Sequence, residues 1–506
     1  MAHIQALVAE VAPANGHALR CVSDHRRLQA GDIWFAWPGK RFDPRSVLVD
    51  CAALGVRAVI AESNGLSPDW LAQAQTLKCP VYLVSGLVAQ AGQMAAVLSG
   101  NTSGQSRLIA VTGTNGKTSV TRWISQCLDY LQERCAVIGT LGAGFVDEDV
   151  VSTGLTTPDA VSLQAAIADL RTQGARTIAL ESSSIGLEQG RLNGCHFDVA
   201  AFTNLSRDHL DYHADMQSYE AAKQLLMAWP ALRHAVVNMD DPAGERFLRT
   251  AESTGAQLIQ VASNASRFVP DAGTCLLLRA THVSGGMKVQ LNAGAQSVSA
   301  AVAVIGQFNL ENVAVVAGVL LACAYSLEDI AAALPAISSP PGRMQVVPAA
   351  AGPLVVVDYA HTPDALDKVL KSLRPVVSAR GGALHCVFGC GGDRDPGKRP
   401  LMAAVAEQLA DHVVVTSDNP RSESADQIIK DIIRGLKNPD RASVLPDRAA
   451  AIAASIGQAG AADLVLLAGK GHETGQTIGD VVLPFSDLEH ARSALSAWAS
   501  AHGEGA

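Results

Sequence analysis

The chain has 506 residues, of which 48% are hydrophobic and 17% charged, with a formal net charge of −9. That composition excludes a largely disordered protein, and the length calls for about three domains rather than one core. The negative balance argues against broad electrostatic attraction to nucleic acid, leaving only local basic pockets.

From the N-terminus, residues 1–20 show no basic segment followed by a long apolar block, so no secretory signal is expected. A small, polar stretch, Ser99-Gly-Asn-Thr-Ser-Gly-Gln-Ser106, reads as a first seam. Beyond it, Leu108–Val111, Thr177–Leu180 and Val199–Phe202 read as buried strands alternating with helical patterns. The most apolar run, Val313–Leu327, is broken by Gly318, Tyr325 and Ser326. It falls short of the roughly 20 residues of a membrane span and reads as a buried helix. Ser338-Ser-Pro-Pro-Gly342 is a second seam, since two prolines and a glycine suit no element interior. The expected domains are therefore 1–104, 105–339 and 340–506.

In the last segment the expected strands are Leu354–Val357, Leu384–Phe388, His412–Val415 and Leu464–Leu467. Strand–helix alternation implies an α/β fold with parallel sheets. Each strand runs into a polar or glycine-rich loop: Asp358–His361, Gly389–Arg394, Ser417–Arg421 and Gly469–Glu473. Ligands of open parallel sheets bind outside the carboxyl ends of strands, so four such loops point to one composite site. The ten cysteines are scattered without a CxxC pair, and Cys386 and Cys390 lack companions for a zinc site, so reduced thiols are expected.

The sharpest chemical signal is Val111-Thr-Gly-Thr-Asn-Gly-Lys-Thr-Ser119, placed between a strand and a helix. Its glycines let backbone N–H groups face phosphate oxygens at a helix start. Lys117 is expected at the β- and γ-phosphates and the Thr118 hydroxyl on magnesium. Gly113 lies only three residues before Gly116, and Val111 stands where the longer phosphate-loop motif has glycine.

This short loop resembles that of the Mur ligases, the ATP-dependent enzymes that build the peptidoglycan stem peptide. Further motifs follow in family order: Thr156-Thr-Pro158, Glu181-Ser-Ser-Ser-Ile-Gly-Leu187, Thr203-Asn-Leu-Ser-Arg-Asp-His-Leu-Asp-Tyr-His213, Tyr219-Glu-Ala-Ala-Lys223, Gly306-Gln-Phe-Asn-Leu-Glu-Asn312, Gly342-Arg-Met344, Asp358-Tyr-Ala-His361 and Gly469-Lys-Gly-His-Glu473. The resemblance implies a UDP-binding domain, a central P-loop ATPase-like domain and a Rossmann-like, amino-acid-binding C-terminal domain. It is strongest to the members that add the third residue, meso-diaminopimelate, to UDP-N-acetylmuramoyl-L-alanyl-D-glutamate. A monomeric, cytoplasmic enzyme of cell-wall synthesis, and hence of cell shape and division, is the family expectation.

The resemblance also implies roles for residues. Gly113, Thr114, Asn115, Gly116, Lys117, Thr118 and Ser119 would hold ATP, with Asn309 and Asn312 on the adenine side. Arg343 and Asp358 would complete the ATP site, while His361 stays open between an ATP contact and a structural role. Glu181 and His209 would join Thr118 around magnesium, and Lys223 would carry a CO2-derived carbamate. Thr156, Thr157, Ser183 and Arg191 would hold the muramyl dipeptide; Ser23, His25, Lys40, Arg41 and Phe42 would approach the uridine diphosphate. His25 stands where a serine is usual, and Ile185 where many relatives have histidine. Arg394, Asp418, Asn419, Arg421, Gly469 and Glu473 would hold diaminopimelate. For Arg421 the physics agrees, because a guanidinium fork pairs bidentately with the carboxylate that lysine lacks. The plain alternative is a surface arginine at the start of the next helix, capped by Ser422 or Ser424.

Rival readings are a recycling ligase that joins a preformed tripeptide to UDP-muramate, a folylpolyglutamate synthetase, and a P-loop switch with little chemistry. The Asp418–Arg421 loop and the paired serines disfavour the folate enzyme, and the Lys117, Glu181, His209 and Lys223 set disfavours the switch. A dinucleotide-binding dehydrogenase is weaker still, since Gly389–Arg394 lacks the last glycine of its fingerprint.

Overall fold

Short runs of β-branched and small apolar residues build three parallel sheets, and the loop after each strand decides where chemistry is placed. The computed structural model describes residues 19–39, 42–100, 104–148, 150–210, 212–283, 286–349 and 351–502. The chain divides into two compact units. One comprises Met1–Arg279, Gln290–Ser299 and Glu311–Ala336; the other comprises Ala280–Val289, Ala300–Leu310 and Ile337–Ala506.

The first unit begins with β1 (Cys21–Val22), β2 (Ile33–Ala36), β3 (Ala58–Glu62) and β4 (Val81–Val84), a parallel sheet in chain order. The helix Leu87–Leu98 covers one face through Leu87, Ala91, Met94 and Leu98. Its Gly92 lies directly against the turn at Asn193–Gly194. A β-carbon on Gly92 would come within 1.9 Å of the Asn193 carbonyl oxygen, and one on Gly194 within 2.4 Å of the Gly92 carbonyl oxygen. Two backbones touch here, and only glycine permits it.

The larger sheet uses β5 (Arg107–Thr112), β6 (Cys135–Gly139), β7 (Gly142–Phe145), β8 (Thr177–Glu181), β9 (Val199–Phe202), β10 (His234–Asn238), β11 (Gln257–Ala262), β12 (Thr274–Val283), β13 (Gly286–Ala293) and β14 (Gln296–Val302). Among the described residues its order is β14-β13-β12-β11-β10-β9-β5-β8-β6-β7. The strands from β11 to β6 run parallel, and β7 returns antiparallel. β5, β8 and β9 are buried almost throughout, which is why their sequences are unbroken apolar runs rather than alternating ones. The apolar run after residue 313 is a buried helix, Gln307–Ala322, but it does not continue to Leu327. Ala324 adopts φ +68, and a second helix, Leu327–Ala333, starts under a Ser326–Asp329 capping box. Among the described residues no helix is long and apolar enough to cross a membrane.

The second unit carries β15 (Gln345–Val346), β16 (Leu354–Asp358), β17 (Leu384–Phe388), β18 (His412–Val415), β19 (Ala442–Val444) and β20 (Leu464–Ala468). Their order is β15-β16-β20-β17-β18-β19, parallel except for β15 at the edge. A separate hairpin joins β21 (Gly475–Ile478) to β22 (Val481–Pro484). β16, β20, β17 and β18 are adjacent, so the four loops expected to form one site leave the same sheet edge side by side.

A buried ion pair ties those loops down. Arg448 is bonded to both carboxylate oxygens of Asp487, at 2.7 and 2.6 Å, and both side chains are fully buried. The same guanidinium donates to the Ala468 and Ser417 carbonyls at the ends of β20 and β18. Asp487→Ala leaves that cation buried and unpaired, a loss of about 3–5 kcal/mol. Urea unfolding followed by tryptophan fluorescence, with Trp498 in this unit, should show its transition at markedly lower denaturant.

Candidate active site

Gly116, at φ +85, turns β5 into the helix Lys117–Tyr130. A β-carbon there would come within 2.4 Å of Asn312 Oδ1, so the loop and the buried Asn312 side chain are packed without clearance. Gly113, at φ +150, is as tightly placed against Thr203. The loop is also laced to the segment after β9. Thr114 N–H donates to the Asn204 carbonyl, Thr203 Oγ1 donates to the Asn115 carbonyl, and Thr114 Oγ1 accepts from Ser206 N–H and Tyr219 O–H. Ser119 is buried in the first turn of the helix.

Two lysines meet one oxygen. Lys117 Nζ donates to the Gly113 and Thr114 carbonyls at 2.8 Å, and Lys223 Nζ donates to the same Gly113 oxygen at 2.8 Å. Lys223 is wholly buried on the helix Met216–Met227, its amine 4.4 Å from the Tyr219 ring centre. Burial foremost, and the neighbouring Lys117 charge second, hold the Lys223 amine well below the usual lysine range, with Asp208 opposing them.

Glu181, the last residue of β8, is buried and accepts from Thr118 Oγ1 at 2.9 Å. Thr140 N–H and Thr140 Oγ1 bond the two oxygens of the same carboxylate at 2.9 and 3.1 Å. Gly139 leaves it room, since a β-carbon there would lie 2.1 Å from Glu181 Oε1. Hydroxyl and carboxylate oxygens at the mouth of a phosphate loop fit magnesium, which takes a few protein oxygens and completes its shell with phosphate and water. His209 keeps different partners. Its backbone is left-handed, at φ +53, and its ring stands beside Asp208, 3.7 Å away, and Tyr219. Among the described residues no three His, Cys, Asp or Glu side chains converge as a metal-binding group.

From Glu181 the bonds continue into the residues expected to hold the dipeptide. Thr140 Oγ1 meets Thr156 Oγ1 at 3.1 Å; Thr157 Oγ1 donates to the Glu181 carbonyl at 2.8 Å and lies 3.0 Å from Ser183 Oγ. Ser183 caps the helix Ser184–Glu188 through Gly186 N–H, so it does structural work as well. Arg191 donates to the Thr157 carbonyl and forks onto Gln189. Toward the N-terminus, Ser23 Oγ lies 3.3 Å from Ser162 Oγ, and the His25 ring packs on Phe42 with centroids 5.3 Å apart. Lys40 and Arg41 lie outside the described residues.

In the second unit Asn309 donates to the Ile305 carbonyl at 2.8 Å. Asp358 accepts from the N–H groups of Met344 and Ala360. Burial pushes its carboxyl above the usual range, against the pull of Arg343 and those two bonds. Arg343 stacks on Tyr359, its guanidinium carbon 4.7 Å from the ring centre. His361 Nδ1 bonds the Tyr359 carbonyl, and burial holds its pKa below the ordinary histidine value. Asn419 Nδ2 donates to Glu473 Oε2 at 2.7 Å, and Gly469, at φ +114, has Asp418 where a β-carbon would sit. Arg421 is not a helix-start arginine. The helix begins at Ala425, and the Ser424 side chain makes no capping bond. Arg421 adopts φ +53, bridges to Ile478, and donates from Nη1 to the Gly392 carbonyl at 2.7 Å. Arg394 is exposed on the neighbouring loop.

With the geometry in place, comparison with known proteins is decisive. The family model for the Mur ligase middle domain matches residues 111–320, and that for the Mur ligase glutamate ligase domain matches 342–471. The chain belongs to the Mur ligase family. It is 46% identical over 487 residues to a UDP-N-acetylmuramoyl-L-alanyl-D-glutamate–2,6-diaminopimelate ligase of Pseudomonas aeruginosa, covering 95% of each chain. The Coxiella burnetii ligase of the same name is 43% identical over 474 residues, 94% of each chain. A solved structure of such a ligase superposes with a TM-score of 0.68 at 35% identity over 95% of both chains. Thermotoga maritima MurF ligase in complex with ADP shares the fold, at 16% identity and a TM-score of 0.63, over 96% of this chain and 98% of its own.

Two residues of this Mur ligase carry no signal that a motif search would single out. Thr140 links Glu181 to Thr156 from a plain turn after β6. Lys470 is embedded in a longer motif, although a lysine between two glycines at the end of a buried strand is itself a signal.

Gly139→Ala should drive a methyl group into Glu181 Oε1 and displace the carboxylate from Thr118. We expect turnover to fall about 100-fold, the usual penalty for roughly an ångström of misplacement. The magnesium requirement should rise in the same assay, while the thermal midpoint stays close to wild type.

Proposed function

We infer that this chain is an ATP-dependent ligase that adds meso-diaminopimelate to UDP-N-acetylmuramoyl-L-alanyl-D-glutamate in peptidoglycan precursor synthesis. The observation that carries the reading is the continuous bonded path from the phosphate loop through Thr118, Glu181 and Thr140 to Thr156, with Thr157, Ser183 and Arg191 beside it. Such a path holds a phosphoryl donor and an acceptor carboxylate in one rigid frame. The acceptor carboxylate attacks the γ-phosphorus, ADP leaves, and an acyl phosphate forms. The amino nitrogen then attacks the acyl carbon, loses a proton and expels phosphate, leaving the amide.

Positioning and charge neutralisation dominate such phosphoryl transfer. Lys117 supplies the cation, exchanging its loop carbonyls for the β- and γ-phosphates, and Asn312 braces Gly116 from behind. Thr118 and Glu181 would hold magnesium, which when bound neutralises phosphate charge. Asn309, Arg343 and Asp358 keep the nucleotide-side roles that the family motifs imply. Arg191, half-buried and forked, suits the acceptor's carboxylates, and Ser23, His25 and Phe42 suit its nucleotide end. The ATP requirement and ten free thiols fit the reducing cytoplasm.

Lys223 is proposed to act as a carbamate. Only a neutral amine attacks CO2, and burial beside Lys117 supplies one. The product reverses the sign of the side chain, so that it attracts Lys117 instead of repelling it and offers oxygens to magnesium or its waters. Lys223→Ala should be inactive, and acetate should restore a measurable part of its amide formation. A wild-type rate without bicarbonate, in CO2-depleted buffer after carbamate removal at low pH, would contradict this.

Arg421, Asn419, Glu473 and Arg394 are proposed to read the amino acid. L-lysine leaves the Arg421 guanidinium without its carboxylate, and sites built for a polar group reject analogues lacking it by about 10⁴-fold. Mass-resolved product assays should show turnover with meso-diaminopimelate and very little with L-lysine. Arg421→Ala should lose most of that turnover while nucleotide binding persists. Product from free tripeptide and UDP-muramate, with none from diaminopimelate, would favour the recycling ligase instead.

A further inference from the structure

Lys470 is the one site-loop lysine that the ligation reaction leaves without a task. It is fully buried, yet it follows β20 at the sheet edge where the amino-acid loops gather. Its backbone is aimed by glycines on both sides: Gly469 at φ +114 and Gly471 at φ +56. A β-carbon at Gly471 would lie 2.8 Å from Tyr359 Cβ, so this conformation is packed in place.

All three of the ammonium's directions are taken. Nζ donates to Asn419 Oδ1 at 2.9 Å and to Glu473 Oε2 at 3.1 Å, and pairs with Asp418 Oδ1 at 3.8 Å. Thr477 N–H also donates to Asn419 Oδ1, at 3.0 Å. With two donors on its oxygen, the Asn419 amide has one orientation, and its Nδ2 must donate to Glu473 Oε2, as it does at 2.7 Å. Glu473 Oε2 is then saturated by Asn419 and Lys470. Glu473 Oε1 carries no protein hydrogen bond among the described residues, and the side chain is 31% exposed. One carboxylate oxygen is locked and the other is presented.

Charge points the same way. Asp418 and Glu473 bring two negative charges to a partly desolvated corner, and Lys470 cancels one of them. The corner therefore keeps a single negative charge for one ammonium group. Without Lys470 it would carry two and would favour an amino acid of higher net positive charge. Diaminopimelate is neutral overall at pH 7, and L-lysine carries one positive charge.

We propose that Lys470 is a positioning and specificity-determining residue, which fixes the Asn419–Glu473 pair and sets the charge of the amino-acid site so that a zwitterionic diamino diacid is preferred over a cationic diamino monoacid. The proposal rests on the diaminopimelate reading of that site. It assigns Lys470 no contact with ATP and no chemical step.

The test is Lys470→Met, which keeps length and removes charge, assayed with meso-diaminopimelate and with L-lysine. The KM for diaminopimelate should rise about ten- to hundredfold, the range for losing charge-assisted hydrogen bonds. The KM for ATP should stay within about threefold. The efficiency ratio of diaminopimelate to L-lysine should shrink at least about tenfold, because the altered charge penalises one substrate and not the other. The double variant Asp418→Asn with Lys470→Met restores the net charge of the corner and should recover part of that ratio; it also serves if the single variant does not fold. An unchanged diaminopimelate KM and ratio in a folded variant would overturn the proposal. So would a fall in kcat with both amino-acid KM values unmoved, which marks a merely structural lesion. If the wild-type protein itself shows no preference for diaminopimelate, the diaminopimelate reading fails rather than the role of Lys470.

Discussion

Two lysine side chains share the Gly113 carbonyl oxygen, and the active centre is organised around that crowding. Two full positive charges on one buried acceptor repel, and desolvation penalises the more deeply buried of the pair. The outcome is an asymmetric pair: Lys117, able to leave the loop for phosphate, and Lys223, held uncharged within the protein. Everything that fixes Gly113 takes part in this arrangement. Thr203 leaves no space beside it, Tyr219 packs under the Lys223 amine and bonds Thr114, and the segment after β9 grips Asn115. A single change in the chemical state of Lys223 would thus be felt by the whole phosphate loop.

The sheets were legible because strands buried on both faces need unbroken apolar runs, and such runs are hard to disguise. Val199–Phe202 and His412–Val415 coincide with the strands observed, and the loops after β16, β20, β17 and β18 fall at one edge as their order in sequence suggested. The helix past Gln307 was legible in kind and not in extent. The left-handed turn at Ala324 belongs to no glycine or proline, so the sequence held no mark of it. The site was legible where a motif confers a backbone shape, as at Gly113 and Gly116. It was opaque where a role arises only from folding. Thr140 bonds Glu181 because β6 and β8 are neighbours, and no spacing along the chain encodes that adjacency. His209 illustrates the converse: its motif names a ligand, whereas its left-handed backbone sets it beside Asp208.

The two ends of the reaction are held by unlike means. Around the phosphate loop, the structure relies on backbone carbonyls, hydroxyls and one buried carboxylate, partners whose direction is fixed by covalent geometry. Around the amino-acid loops it relies on buried charges: Arg448 with Asp487, Arg399 with Glu423 and Asp431, and Lys470 with Glu473 and Asp418. Each such pair gives little net stability compared with an apolar replacement, but it tolerates few alternative arrangements. Loops that must discriminate between similar zwitterions gain more from that intolerance than from added stability.

The backbone contact between Gly92 and the Asn193–Gly194 turn has a metrical consequence. It joins the sheet that bears Ser23 to the turn that follows Arg191 with no side chain between them, so the span separating those two residues is set by bond lengths rather than by a compressible layer. The pair of glycines behaves as a gauge block. An acceptor that reaches from one residue to the other is measured against a fixed length. A molecule one linkage too short or too long would bring its carboxylate to the wrong place, whatever its chemistry.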